Sequence, residues 1–343
     1  MKPLFLIGLL LSSTTALAGT LPPASPWLSA NLYTQVTTAG QRLVAVGDRG
    51  AVIYSDDQGQ QWQKAKTPTD VLLTDVCFSS ASQGFAVGHD ASVLATTDGG
   101  VNWTLQYSDP LDGTPVGHLD EDDASMDMGM DENMDMLPVD TSGAPLLGVW
   151  CDPANAQHVI ALGGFGYFLE THDAGAHWHK EMQKLDNPDG WNLYAIASVP
   201  NDNRAVFIAG EKGTLFLSTD AGGSWEKLKS PYAGTFFGVT ATGPGNVLVY
   251  GLQGNVWLTH DYGKSWQKVN SHTRSGINNG AVASDGSLLL VGNDGVLLES
   301  YDRGASFNES VIEQRATLSS VLPLGNGKMV VTGVDGIHVM NEK

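Results

Sequence analysis

The sequence predicts an all-β protein, a seven-bladed β-propeller, and three observations carry that prediction. The pattern Ser/Thr-x-Asp-x-Gly-x-x-Trp/Phe, known as the Asp-box, recurs six times. A glycine stands ten residues ahead of every Asp in these boxes: Gly47, Gly88, Gly163, Gly210, Gly251 and Gly292. With a seventh copy at Gly333, successive glycines are 41, 75, 47, 41, 41 and 41 residues apart. Periods of roughly 40–50 residues built from four short strands mark propeller blades.

The chain begins Met1-Lys2, runs apolar from Leu4 to Leu11 and reaches Ala16-Leu17-Ala18. A charged start, a short apolar core and an A-x-A site make a signal peptide over 1–18. The apolar core falls short of the ~20 residues that a transmembrane helix requires. No Cys follows the cleavage site, so a lipid anchor is not indicated. A single domain over 19–343 is expected, exported, in a periplasm or secreted.

Within each repeat, an apolar run such as Leu43-Val44-Ala45-Val46 precedes the first glycine. Most repeats carry a second glycine three residues on (Gly50, Gly166, Gly213, Gly254, Gly295), with Ala91 as the exception. A second β-rich run follows, such as Thr214-Leu215-Phe216-Leu217. Two strands joined by a tight Gly turn fit this pattern. With an earlier apolar strand and a short one after the box, each blade gains strands A to D, and the Asp-box is the C–D hairpin.

In each box the aspartate (Asp57, Asp98, Asp173, Asp220, Asp261, Asp302) is placed to accept hydrogen bonds from N–H groups of its own turn. The following glycine supplies a positive φ. The aromatic (Trp62, Trp103, Trp178, Trp225, Trp266, Phe307) returns as an apolar plug between blades. Six identical sites around a ring read as architecture rather than as catalytic carboxylates or Ca²⁺ ligands.

The wide spacing of 75 marks an insert between blades two and three, over 109–143, with eleven acidic residues and no Lys or Arg. Such like charge predicts a flexible loop. Its Met126, Met128, Met130, Met134 and Met136, with His118, form a donor set suited to a soft metal such as copper. The simpler reading is a solvated insert, or one that grips a partner through adaptable methionines. The seventh repeat ends after strand C, and Ser25-Pro26-Trp27-Leu28-Ser29 is free to supply its fourth strand. That closes the ring terminus to terminus and removes sheet edges.

Cys77 and Cys151 are the two cysteines. Both fall in first strands of neighbouring repeats, one position out of phase. An odd offset on alternating pleats turns the side chains to different faces, which favours two separate thiols over the disulfide that an exported protein permits. The formal net charge of −19 argues against nucleic acid and anionic membrane surfaces as partners.

B–C and D–A connections share one face of a propeller, so the insert shares it with the Gly turns. Arg49, His89, Phe165, Lys212, Gln253 and Asn293 are the candidate partner residues there. Their mixed types form no catalytic set.

The run Ala45-Val46-Gly47-x-x-Gly50-x-Val52-Ile53-x-Ser55-x-Asp57-x-Gly59-x-x-Trp62 resembles the photosystem II assembly/stability factor family of BNR/Asp-box propellers. So does Gly84-Phe85-Ala86-Val87-Gly88, followed by Thr96-Thr97-Asp98-Gly99-Gly100-x-x-Trp103. The likeness covers the mature chain apart from the insert. It implies a non-catalytic exported or lumenal propeller that binds proteins during assembly of a membrane complex. In photosynthetic members basic residues are implicated in partner binding. Arg here is limited to Arg42, Arg49, Arg204, Arg274, Arg303 and Arg315. A scaffold for another envelope complex, peripheral to the membrane and without a cofactor, is therefore expected. Asp-boxes also occur in sialidases and xyloglucan hydrolases, so a glycan-active enzyme is the alternative. No Phe-Arg-Ile-Pro stretch or isolated carboxylate pair supports it.

Overall fold

A computed structural model describes residues 31–112, 114–117, 141–312, 315–325 and 327–341. These residues form six four-stranded sheets and one of three strands. In every sheet the strands are antiparallel and follow chain order from A outward. Blade 2 shows the pattern: Leu73–Phe78, Gly84–Gly88, Val93–Thr96 and Thr104–Tyr107. Blade 3 repeats it with Leu146–Cys151, Val159–Gly163, Phe168–Thr171 and His179–Lys180. Blade 7 comprises Leu318–Pro323, Lys328–Gly333 and Gly336–Asn341. The segment 25–29, expected to complete it, lies outside the described residues, as does the signal peptide.

The core is divided among seven apolar clusters, one at each seam between neighbouring blades. Strand alternation explains the division, because each sheet is buried on both faces. In blade 2, Phe85 and Val87 face blade 3, whereas Ala86 and Leu94 face blade 1. Each box aromatic packs toward the preceding blade: Trp178 of blade 3 meets Phe85 of blade 2 edge-on, centroids 6.1 Å apart. Trp225 meets Phe168 in the same way at the next seam. Trp62 closes the ring with Val330 and Ile337 of blade 7. The seam between blades 6 and 7 has aliphatic residues and Met329, but no box aromatic.

The two glycines of the B–C turn serve different purposes. Gly47 has extended backbone, but a Cβ there would sit 2.2 Å from the Leu32 carbonyl oxygen. Gly50 instead has φ +63° and faces the Thr69 carbonyl. Gly47 serves close backbone approach alone, whereas Gly50 both lets the D–A connection approach and turns the chain.

Cys77 and Cys151 are joined in a disulfide, Cα–Cα 5.8 Å, contrary to the expectation of separate thiols. The odd offset does turn the side chains to opposite faces of equivalent strands. In a propeller, opposite faces of neighbouring sheets are the ones that meet. Cys77 lies opposite Phe85 in its sheet, Cys151 opposite Val159, and all four belong to the seam between blades 2 and 3.

Candidate functional site

The Asp-boxes fold as local hydrogen-bond clusters. In blade 5 the Thr259 hydroxyl donates to Asp261 Oδ1 at 2.8 Å and accepts from the Gly263 N–H at 2.8 Å. Asp261 Oδ1 also accepts from the Ser265 N–H, and Oδ2 from the Ser265 hydroxyl at 2.6 Å. The Ser265 donors hold this carboxyl down at about 2. The same residue types occupy both carboxylate oxygens of Asp220 and Asp302, and Asn102 and His177 take the Ser role for Asp98 and Asp173. In blade 1, Asp57 accepts from Ser55 and the Gln61 N–H. Carboxylates engaged in this way by their own turns are poorly placed to serve as a general acid and base.

On the opposite face, the B–C turns place one residue of each tip in left-handed backbone: Arg49, Phe165, Lys212, Gln253 and Asp294, with φ from 53° to 57°. The first four are exposed candidates from the sequence. Phe165 is 51% exposed, large for an aromatic. His89 is exposed, one residue ahead of its turn's left-handed pair Asp90 and Ala91. Asn293 is half-buried and its Oδ1 accepts from Asn278, so Asp294 projects in its place. Arg49 Nε stands 3.6 Å from Asp48, and Lys212 lies over the Trp191 ring. On the same face, a cleft of about 810 Å³ runs between Gln253, Lys268, Asn270 and Arg274.

The stem of the insert is anchored on this face. Asp109 N–H donates to the Asp90 carbonyl, Gly143 N–H to the Asp109 carbonyl, and Ala91 N–H to the Ala144 carbonyl. Beneath them, Tyr167 donates to Asp109 Oδ2 at 3.2 Å and pairs with the Tyr107 hydroxyl at 2.8 Å. Lys180 adds donors to Asp109 and Thr141. Burial and the neighbouring Tyr107 and Asp109 push the Tyr167 hydroxyl up, so it remains protonated. His118, Met126, Met128, Met130, Met134 and Met136 lie outside the described residues.

The early residues of the A strands line a central cavity of about 460 Å³, at the end nearest this face. One side is polar, with Gln35, Asp75 and Asn279; the other presents Leu147, Tyr194 and Phe237. Asp75 Oδ1 accepts from Gln35 Nε2 at 3.0 Å and Oδ2 from the Val149 N–H at 2.8 Å, linking blades 1, 2 and 3. Gln35 Oε1 accepts from Ser320 of blade 7. Burial pushes the Asp75 carboxyl up to about 6, against these hydrogen bonds. The repeat pattern did not single out Gln35 and Asp75. The signal available was a strand-A position that is polar in blades 1, 2, 6 and 7 (Gln35, Asp75, Asn279, Ser320) and Gly or Ala in blades 3, 4 and 5 (Gly148, Ala195, Gly238).

The family profile described as "Photosynthesis system II assembly factor YCF48" matches residues 54–116 and 134–337. A Synechococcus "Photosystem II assembly lipoprotein Ycf48" is 34% identical over 92 residues, 27% of this chain and 26% of that protein. A second Synechococcus protein, "Photosystem II assembly protein Ycf48", is 25% identical over 185 residues, 48% of this chain and 52% of its own length. The chain thus spans between a quarter and about half of these relatives. Among solved structures, "YCF48 bound to D1 peptide" superposes with a TM-score of 0.65 at 18% identity, covering 97% of this chain and 100% of that one. A GH74 xyloglucanase from Xanthomonas campestris gives 0.68 at 14% identity, covering 92% of this chain and 52% of its own. At these identities the structural likenesses are ones of fold.

Proposed function

Since the chain belongs to the photosystem II assembly factor YCF48 family, we propose that it is a non-catalytic binding propeller. It holds a segment of a membrane-complex protein on the face that carries the insert. The observation that carries this reading is the family match across most of the blades, joined to a face of exposed tips of mixed chemistry. The engaged box carboxylates support binding over glycan hydrolysis, and the xyloglucanase likeness adds only the fold.

The protein acts outside the cytoplasm, with residues 1–18 as a removable leader and a periplasm as the compartment. Relatives named as lipoproteins support export. The scarcity of arginine favours an envelope complex other than a photosystem. Binding asks little movement of the blades, since a rigid ring presents its loops ready formed.

The test is crosslinking and capture from native envelope membranes. Full-length protein is compared with a form lacking 118–140, which keeps the anchored stem, and with Phe165→Ser/Lys212→Glu. A defined membrane-complex subunit captured by the full-length protein and lost with Phe165→Ser/Lys212→Glu is expected. Capture that survives both changes moves the contact to the Asp-box face. Absence of any such subunit overturns the reading, as would hydrolysis of a glycan panel.

A further inference from the structure

On the outer part of blade 3, toward the Asp-box face, three side chains bring metal-ligating atoms together. His158 immediately precedes strand B, Glu170 lies in strand C, and His172 is the second residue of the Asp-box. His158 Nε2 lies 2.8 Å from Glu170 Oε1, and His172 Nε2 lies 3.4 Å from the same oxygen. All three ligand atoms fall within 4.8 Å of one another. His158 and Glu170 are buried, and His172 is exposed.

Other blades fill the same cross-strand position with ordinary polar pairs: Arg42 with Asp56 in blade 1, Asn246 with His260 in blade 5. Blade 3 instead sets two imidazoles there, beside a buried carboxylate at a strand-C position that is Ala95 in blade 2, Leu217 in blade 4, Leu258 in blade 5 and Glu299 in blade 6, where Ser287 and Tyr301 stand in place of the histidines. A buried carboxylate among apolar strands is costly unless it is paired, and Lys184 and His158 pair with Glu170 here.

We propose that His158, Glu170 and His172 bind a borderline divalent cation of the Zn²⁺ type. Two imidazoles and one carboxylate suit such an ion and not Ca²⁺ or Mg²⁺, which take oxygen ligands. Asp152 Oδ2 stands 3.2 Å from His158 Nδ1, the carboxylate–histidine arrangement that directs Nε2 to a metal. Lys184 engages Glu170 Oε2 and leaves Oε1 toward the histidines. The His158 and His172 rings are stacked, with centroids 4.7 Å apart and planes 17° apart. His172 therefore turns its exposed ring to bring its lone pair onto the ion, and water takes the fourth position. The site lies toward the Asp-box face, away from the partner face.

The test is calorimetric titration of chelator-stripped full-length protein with Zn²⁺. One bound ion is expected, with His172→Ala weakening it by at least about tenfold. Because His172 is exposed, its replacement leaves the metal-free melting midpoint unmoved, which separates loss of a ligand from loss of fold. Met126→Leu/Met128→Leu/Met130→Leu retains the ion. Co²⁺ in place of Zn²⁺ gives ligand-field bands that His172→Ala abolishes. No saturable binding, affinity undiminished in His172→Ala, or loss with the methionine variant overturns the proposal.

Discussion

Removing the disulfide is the sharpest perturbation of this ring. Cys77 and Cys151 are 74 residues apart in sequence, and the loop they close holds three strands of blade 2, the insert and the first strand of blade 3. A cross-link of that span removes chain entropy from the unfolded state worth about 4.4 kcal/mol at 25 °C. Cys77→Ala/Cys151→Ala should therefore lower stability by roughly 4 kcal/mol, or the melting midpoint by roughly 6 °C in a domain of this size. The assay is equilibrium urea unfolding of oxidised wild type against the double variant, with the slope m monitored for a change in the unfolded state. Deleting 118–140 shortens the loop but changes the entropic contribution by only about 0.3 kcal/mol. The stabilisation should thus survive that deletion almost intact. A difference between oxidised and double-variant proteins below about 1 kcal/mol would refute the reasoning. It would mean that seam packing alone sets stability here.

Trp178→Ala removes a fully buried plug at the same seam and should cost about 3–5 kcal/mol; urea midpoints unchanged by it would show that the seam collapses around the void. Asp75 gives a pH dependence of opposite sense to the Asp-boxes. Its folded carboxyl is raised to about 6 from the ordinary 3.8, so protonation favours the folded state and stability falls as pH rises from about 4 to about 6. Asp75→Asn should flatten that slope, worth about 1–3 kcal/mol. An unaltered profile in thermal melts from pH 4 to 7 would place the titration elsewhere.

The blade count, strand order and plugs were legible because six boxes repeat in register, and repetition converts a weak local motif into architecture. What escaped had its origin in contacts between blades. Alternation in Leu73–Phe78 and Leu146–Cys151 correctly gave each cysteine its face. It did not say that those faces meet, since that depends on the stacking of two sheets. Asn293 failed as a tip residue because the left-handed position lies one residue later, at Asp294. Gln35, Asp75 and Ser320 come from three blades, so only the closed ring unites them. The cluster of His158, Glu170 and His172 was hidden because Glu299 and His260 hold two of the same positions in other blades, so no single member stood out.

Reinforcement is concentrated at the seam where the chain path is longest. Between blades 2 and 3 the chain takes its longest path, and holding its ends together carries the largest closure entropy of any connection. That seam carries the disulfide, the Tyr107–Tyr167 pair and the Asp109–Lys180 ion pair. Between blades 6 and 7, where no box aromatic is present, Asn278 donates to the Leu318 carbonyl at 2.8 Å and Ser320 lies within 3.4 Å of Asn279; Thr34 and Thr74 make the same bridge to the Leu73 and Leu146 carbonyls at two seams that do carry the aromatic. From Ser320 the belt continues to Gln35 and Asp75, spanning blades 7, 1 and 2. Such a belt works by mutual satisfaction of buried groups, so its members depend on one another. A ring strengthened in this way can present a long acidic insert on one face without loosening the blades that position it.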